Sequence, residues 1–155
     1  MASDTLVIRR AREADLPQLI ALFADDPVGG HGDTSEAEAY EDYLRAFHVI
    51  DSAPHEQLYV AELAGEVVAT YQLTFLRALT GRGAQNAMIE AVQTRADMRG
   101  KGIGAALMEH AEQEARRRDC RLLQLMSNAA RTDAHRFYER AGFARSHLGF
   151  KRKLK

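Results

Sequence analysis

Residues 99–105 read RGKGIGA, a stretch that sets Arg99 and Lys101 among three glycines. An apolar, strand-like run precedes it and a long stretch with helically spaced apolar residues follows, so a strand feeds a turn and the turn opens a helix. The first N–H groups of a helix have no partner inside it, and the helix dipole adds partial positive charge at the same end. That end suits a phosphate. Glycine lets phosphate oxygens approach the backbone with no Cβ in the way. The chemistry these residues offer is therefore a diphosphate cradle built from Arg99, Gly100, Lys101, Gly102, Ile103, Gly104 and Ala105. A P-loop is excluded, because its GxxxxGK[ST] pattern needs Ser or Thr where Gly102 follows Lys101. Two other readings stay open. GKGIGA satisfies a loose dinucleotide pattern, although that pattern normally opens the first strand–helix unit and is followed by an acid after the next strand. Here the next strand ends in Met126, Ser127 and Asn128. The glycines would otherwise serve only to let a helix pack closely.

The elements that must position this turn are legible from periodicity. Leu6–Arg10 reads as a strand and Glu13–Ala24 as a helix with Leu16, Leu19, Ile20 and Phe23 on one face. The polar stretch 25–35 is a loop. A second helix runs from about Ser35 to Ile50, with Tyr40, Tyr43, Leu44, Phe47 and Ile50 as its apolar stripe. Leu58–Leu63 and Val67–Phe75 form a hairpin around Gly65. After the loop RALTGRG, Ala87–Thr94 is a strand. The glycine turn then opens a helix ending near Arg118. Arg121–Ser127 is an apolar strand expected to be buried on both faces. Thr132 caps a last helix to Ala141, stopped by Gly142, and Phe143–Leu154 is a final extended strand. The order implies an α/β (α+β) domain, a mixed sheet with about four helices packed on it.

Composition narrows the class. The 155 residues suffice for one domain with its own core. A net charge of −1 gives no general attraction to nucleic acid or an anionic membrane. The tail FKRKLK is too thin a basic patch to bind nucleic acid alone. The lone Cys120 excludes an internal disulfide framework and fits a reducing compartment. No run is long enough for a membrane span, and MASDTLVIRR has no apolar signal core, so a cytoplasmic protein is expected.

RGKGIG resembles the [QR]xxGx[GA] signature of the GNAT acetyltransferase superfamily, with Arg99, Gly102 and Gly104 in the signature places. IEAVQTRADM resembles that family's central strand and its lead-in to the cradle, and DAHRFYERAGF its last helix and turn. The resemblance spans about residues 5–154, so it implies a single acetyltransferase domain over 1–155. It is strong over 86–144. It implies a mostly antiparallel mixed sheet with a splay between two strands, and acetyl-CoA as donor. The pantetheine arm would lie along Val92, Gln93 and Thr94, with the Val92 N–H a candidate donor to the thioester oxygen if a strand irregularity aims it into the cleft. Tyr138 falls where the family places its general acid. Glu90, mid-strand among apolar neighbours and on the face of Met88, Val92 and Thr94, is the candidate base, directly or through water. The acid that other members carry four residues earlier is here Asn86, which cannot titrate. Seven residues before the tyrosine the family often has Asn. Here it is Arg131, which would pair with a CoA phosphate or be solvated, while Asn128 would take the amide's contact. His135 reads as a helix-surface residue.

The acceptor implied is a small-molecule amine. Asp25, Asp26, Asp33, Glu36, Glu38, Glu41, Asp42, Asp51 and Glu56 face only Arg45 over 25–56, which would steer a cation if they are not simply a solvated face. The C-terminal half, with HRFY and the SH after the turn, is similar to small aminoalkylphosphonate N-acetyltransferases, which bind a divalent metal with the substrate. His31, Asp33 and Glu90 have no ligand spacing, and no metal is expected. Members of the superfamily commonly dimerise, which implies a homodimer. The alternative function is a sensor with this fold that binds acyl-CoA without transfer.

Overall fold

The computed structural model describes residues 5–26 and 31–155, so part of the expected 25–35 loop lies outside the described residues. Five strands form one sheet in the order β1-β2-β3-β4-β5: Val7–Arg10, Glu56–Leu63, Glu66–Arg77, Gln85–Thr94 and Leu122–Leu125. The first three ladders are antiparallel, and β4–β5 is parallel. A parallel neighbour needs a crossover, and the helix after the glycine turn supplies it.

Helices α1 (Leu16–Ala24) and α2 (Tyr40–Ser52) cover one face of the sheet, and α4 (Ile103–Arg117) the other. Thr80–Gly83, designated α3, is a tight turn within the expected RALTGRG loop, with Gly81 and Arg82 in left-handed backbone at φ +66° and +63°, and α5 (Thr132–Arg140) closes the described elements. The predicted stripes are the buried ones. Leu16, Leu19, Ile20 and Phe47 form a core under α1 and α2, joined by half-buried Phe23, Tyr40, Tyr43 and Leu44. Tyr71, Leu73 and Ile89 meet Leu107 and Ala111 of α4 on the other side. β3 belongs to both cores, which is why VVAT and Tyr71 are buried almost without alternation. No helix among the described residues is long and apolar enough to cross a membrane.

One polar cluster is built into the α4 core. The Tyr71 hydroxyl lies 2.7 Å from His110 Nδ1, Tyr71 stacks on Tyr59 at 5.2 Å, and His110 meets Tyr59 edge-on at 4.7 Å. Burial holds the imidazole below its usual 6.5; Glu114 opposes that shift, and Arg117 adds to it. The unfolded chain therefore takes up a proton that the folded chain resists. Stability from this site is complete above about pH 6.5 and is lost as pH falls through the lower folded value. The urea midpoint is expected to fall between pH 7 and pH 5. His110→Gln, which keeps a hydrogen-bonding side chain, should shrink that fall; an equal fall in both proteins would clear His110 of the effect.

Three expectations at the C-terminal end are corrected. β5 is shorter than predicted and is not buried on both faces: Leu122 and Met126 are 48% and 58% exposed, and β5 is the edge strand, with no partner on its outer side among the described residues. Thr132 does not cap α5. It is the first helical residue, and Arg131 stands at the cap position without a side-chain cap bond. Residues 143–154 form no strand. Phe143 packs against the core, but Leu148, Phe150 and Leu154 stay at least 83% exposed, since the segment has no ladder partner among the described residues.

Candidate functional site

Strand β4 carries the irregularity on which the site depends. Thr70 of β3 pairs with Gln93, but Gln72 pairs with Glu90, so Ala91 and Val92 together oppose the single residue Tyr71. This is a β-bulge, and Ala91 sits in it at φ +53°, the left-handed region an alanine rarely adopts. The bulge leaves Val92 out of the regular ladder, as required for a backbone N–H turned into a cleft. It also overturns the predicted faces. Ala87 and Ile89 point into the α4 core, and after the extra residue Val92 packs against that core as well. Glu90 stays on the opposite face with Met88 and is exposed, not set among apolar neighbours.

The same stretch is where two strands part. β4 pairs with β5 only from Asn86–Leu122 to Ile89–Leu125. From Glu90 to Thr94 the β5 side of β4 is free, which gives a slot for an extended chain against Val92, Gln93 and Thr94. Beyond it Arg95 braces the exit, bonding Asp97 at 2.6 Å and Glu66 at 3.0 Å, while its N–H donates to the Val68 carbonyl.

The glycine turn then divides into two jobs. Gly100 (φ +75°) and Gly102 (φ +80°) hold left-handed backbone, and a Cβ on either would meet no protein atom within 4 Å. Gly104 is different: a Cβ there would lie 3.1 Å from Phe137 Cζ, so this glycine admits α5 against α4. The packing reading is right for Gly104 and does not account for the other two. The first intrahelical bond is Ala106 N–H to Gly102 O, which leaves the amides of Ile103, Gly104 and Ala105 without helical partners. Arg99 donates to Thr94 O at 3.3 Å, and neither Arg99 nor Lys101 forms an ion pair among the described residues. Free amides, a positive dipole end and two uncommitted cations fit a diphosphate. The open Gly100–Gly102 turn leaves room for it.

Helix α5 brings Tyr138 to this region. Its ring packs 5.2 Å from Phe137 and 6.1 Å from Phe143. The hydroxyls of Tyr43, Tyr59 and Tyr71 bond Asp33, Gln57 and His110, whereas that of Tyr138 bonds no described residue. Burial pushes the phenol up, and Arg131 opposes the shift. Arg131 is 34% exposed and ion-paired, its Nη2 3.0 Å from Asp26 Oδ2. Asn128 is committed to the turn before α5, its Oδ1 accepting from Ala130 N–H and its carbonyl from Arg131 N–H, with His135 Nε2 2.8 Å from the same carbonyl. Asn128 is thus a turn-former here, and His135 lies on the helix surface. Asn86, four residues before Glu90, holds a buried Oδ1 without a partner among the described residues.

Around the acceptor side, the acidic stretch is less bare than its sequence suggests. Arg10 lies 3.7 Å from Asp51, Arg131 takes Asp26, Arg45 pairs with Asp42, and Asp33 accepts from Tyr43. Distant cations answer charges that look unopposed along the chain. A cavity between α1, α2 and the sheet is lined by Leu16, Ile20, Phe23, Tyr43 and Gln72. Gln72 is the cross-strand neighbour of Glu90. Among the described residues no three His, Cys, Asp or Glu side chains are grouped to hold a metal.

Comparison with known proteins agrees with this geometry. Over its whole length the fold matches that of a transcriptional regulator from Bacillus halodurans C-125, with a TM-score of 0.93, 39% identity, and 97% and 100% of the two chains covered. A glucosamine-6-phosphate N-acetyltransferase from Arabidopsis thaliana shares the fold, with a TM-score of 0.76, 19% identity, and 97% and 99% covered. The aminoalkylphosphonate N-acetyltransferase of Salmonella typhimurium strain LT2 is 47% identical over 57 residues, which span 37% of each chain. Residues 16–143 match the acetyltransferase (GNAT) family model, a range that holds strands β2–β5, the bulge, the glycine turn and Tyr138. The chain belongs to the GNAT family of acetyltransferases, enzymes that use acyl-CoA donors.

Proposed function

We propose that this chain, as one domain over 1–155, transfers an acetyl group from acetyl-CoA to the primary amine of a small molecule by direct attack in a ternary complex. The observation that carries this is the contact of Phe137 with Gly104, which fixes the helix bearing an unpartnered phenol against the helix whose open amides suit a diphosphate. The amine nitrogen bonds to the thioester carbonyl carbon, and the carbon–sulfur bond breaks. Tyr138 gives its proton to the departing sulfur and regains one from solvent. The Val92 N–H stabilises the carbonyl oxygen as it gains charge. Glu90, exposed beside the acceptor side, draws the ammonium in and passes its proton to water. The orphaned Asn86 Oδ1 is suited to accept from that water or from the acceptor. Aminoalkylphosphonates are the first acceptors to try, given the partial similarity to the Salmonella enzyme, followed by amino acids, polyamines and aminoglycosides.

The test is thiol release from acetyl-CoA with each amine, with the acetylated product identified by mass. The second reading, an acyl-CoA sensor, is favoured by the description of the Bacillus relative as a transcriptional regulator. Tight acetyl-CoA binding with release at the buffer rate for every amine would select it.

The homodimer is part of the proposal. Leu148, Phe150 and Leu154 alternate with Gly149, Lys151 and Lys153, close to the period of a half-buried strand, with Arg152 interrupting the apolar side. Their segment is unpaired and β5 has an open edge, so the edge of a second copy completes both. A stable dimer needs roughly 1,200 Å². The two Phe150 rings supply about 300–500 Å² of that, and the leucines and ladders add to it. Light scattering on the full chain should give twice 17.3 kDa, and Phe150→Asp should give a monomer with unchanged circular dichroism. A variant that stays dimeric would place the contact elsewhere.

A further inference from the structure

The apolar stripes of α1 and α2 do not close on each other everywhere. Leu16, Ile20 and Phe23 share a face of α1, and Tyr43, Ala46 and Ile50 stand at helical spacing on α2. Ala46 is the small residue of its stripe, and it is exposed. Beside it lies a cavity of about 90 Å³, open on one side, between the two helices and strands β2 and β3. None of its lining residues is charged, and two are polar. The Tyr43 hydroxyl is committed elsewhere, donating to Asp33 Oδ1 at 2.7 Å and accepting from the Thr34 N–H at 3.2 Å. The Gln72 carboxamide bonds no described residue, so it is free to meet a ligand.

Gln72 also joins this cavity to Glu90. It pairs with Leu58 of β2 on one side and with Glu90 of β4 on the other. Residues directly opposite on antiparallel strands share a face, with Cβ atoms about 4.5–5.5 Å apart. The row therefore runs from an apolar wall, through an uncommitted amide, to an exposed carboxylate. An ammonium is not stable unpaired among apolar side chains. It can stop at Glu90 and send its carbon body past Gln72 into the cavity.

We infer that the acceptor is a primary amine with a compact aliphatic body, its ammonium held at Glu90 and Gln72 and its carbons in the cavity between α1 and α2. This rests on the transferase reading above and names the substrate class of that same site. The cavity is smaller than the roughly 150 Å³ that holds a benzene ring, so the body is a short alkyl chain and not an aromatic ring. Polyamines, aminoglycosides and aminoalkylphosphonates carry further charges or hydroxyl groups, for which an uncharged lining offers little. Gln72 sets the boundary: its carbonyl accepts from the ammonium, and Leu58 beside it meets the carbons.

The experiment measures kcat/KM for thiol release from acetyl-CoA on the full chain, with straight-chain primary amines from ethylamine to octylamine. Each methylene that enters the cavity should raise kcat/KM about fourfold, the effect of burying one CH₂, until the cavity is full near butylamine. Benzylamine, spermidine and 2-aminoethylphosphonate should all fall below butylamine. Ala46→Leu narrows the cavity and should lower the butylamine-to-ethylamine ratio about tenfold. Ile50→Ala widens it and should move the optimum to a longer chain. The two variants act in opposite directions, so a loss of stability in either cannot imitate the pair, and melting curves show that each is folded. A flat chain-length series in an active enzyme would overturn the inference and leave the transferase reading standing. So would a best rate with a polar amine, or a ratio that neither folded variant moves. Thiol release at the buffer rate with every amine overturns the transferase reading itself, and this inference with it.

Discussion

Tyr138→Phe is expected to lower kcat at saturating acetyl-CoA by about 10²-fold or more, the contribution of a well-placed general acid. A thiolate leaves poorly when nothing protonates it, since a thiol's ordinary pKa is about 8.5. A phenol whose pKa burial raises above its ordinary 10 is fully protonated at neutral pH and always ready to donate. The variant isolates the hydroxyl, because the ring contacts with Phe137 and Phe143 need only carbon. The hydroxyl has no bond to lose among the described residues, so the melting temperature should hold. Thiol release at saturating donor and acceptor measures the effect. An unchanged kcat would return Tyr138 to the core as a packing residue.

Much of this site could be read from residue types, and the part that could not has a common cause. The open turn at the mouth of α4 was visible because glycines there are rarely without purpose, and the helical stripes because burial selects apolar residues at helical spacing. The bulge was not visible. Its left-handed residue is Ala91, not Gly or Asn, so the strand IEAVQT carries no local mark of the extra residue that sends Val92 to the α4 side. That single insertion is why Glu90 and Val92, two apart and on one face by simple alternation, lie on opposite faces. The Asp26–Arg131 pair was hidden for another reason: its partners are distant in sequence, and each looks solvated in its own neighbourhood. The last strand illustrates the reverse case. Its period-2 pattern is that of a strand, but a pattern names only the face to be buried and not the chain that buries it.

Gly102→Ala should weaken acetyl-CoA binding by about 10²-fold, the scale of losing one well-made anionic contact set, while costing only about 1–2 kcal/mol of stability for an L-residue in left-handed backbone. The stability cost is limited because the added Cβ meets no protein atom within 4 Å at φ +80°. A loss of affinity beyond that strain therefore reports on the ligand and not on packing. Gly104→Ala is the counterpart. There the Cβ presses on Phe137 at 3.1 Å inside a helix, so its effect should appear in the melting temperature and reach the donor only through a shift of α5. Titration calorimetry with acetyl-CoA, paired with thermal melts, separates the two. If Gly102→Ala binds the donor as tightly as the parent chain, the turn is a packing device throughout. The diphosphate must then lie elsewhere, and the acyl-CoA site would have to be sought away from the entrance of α4.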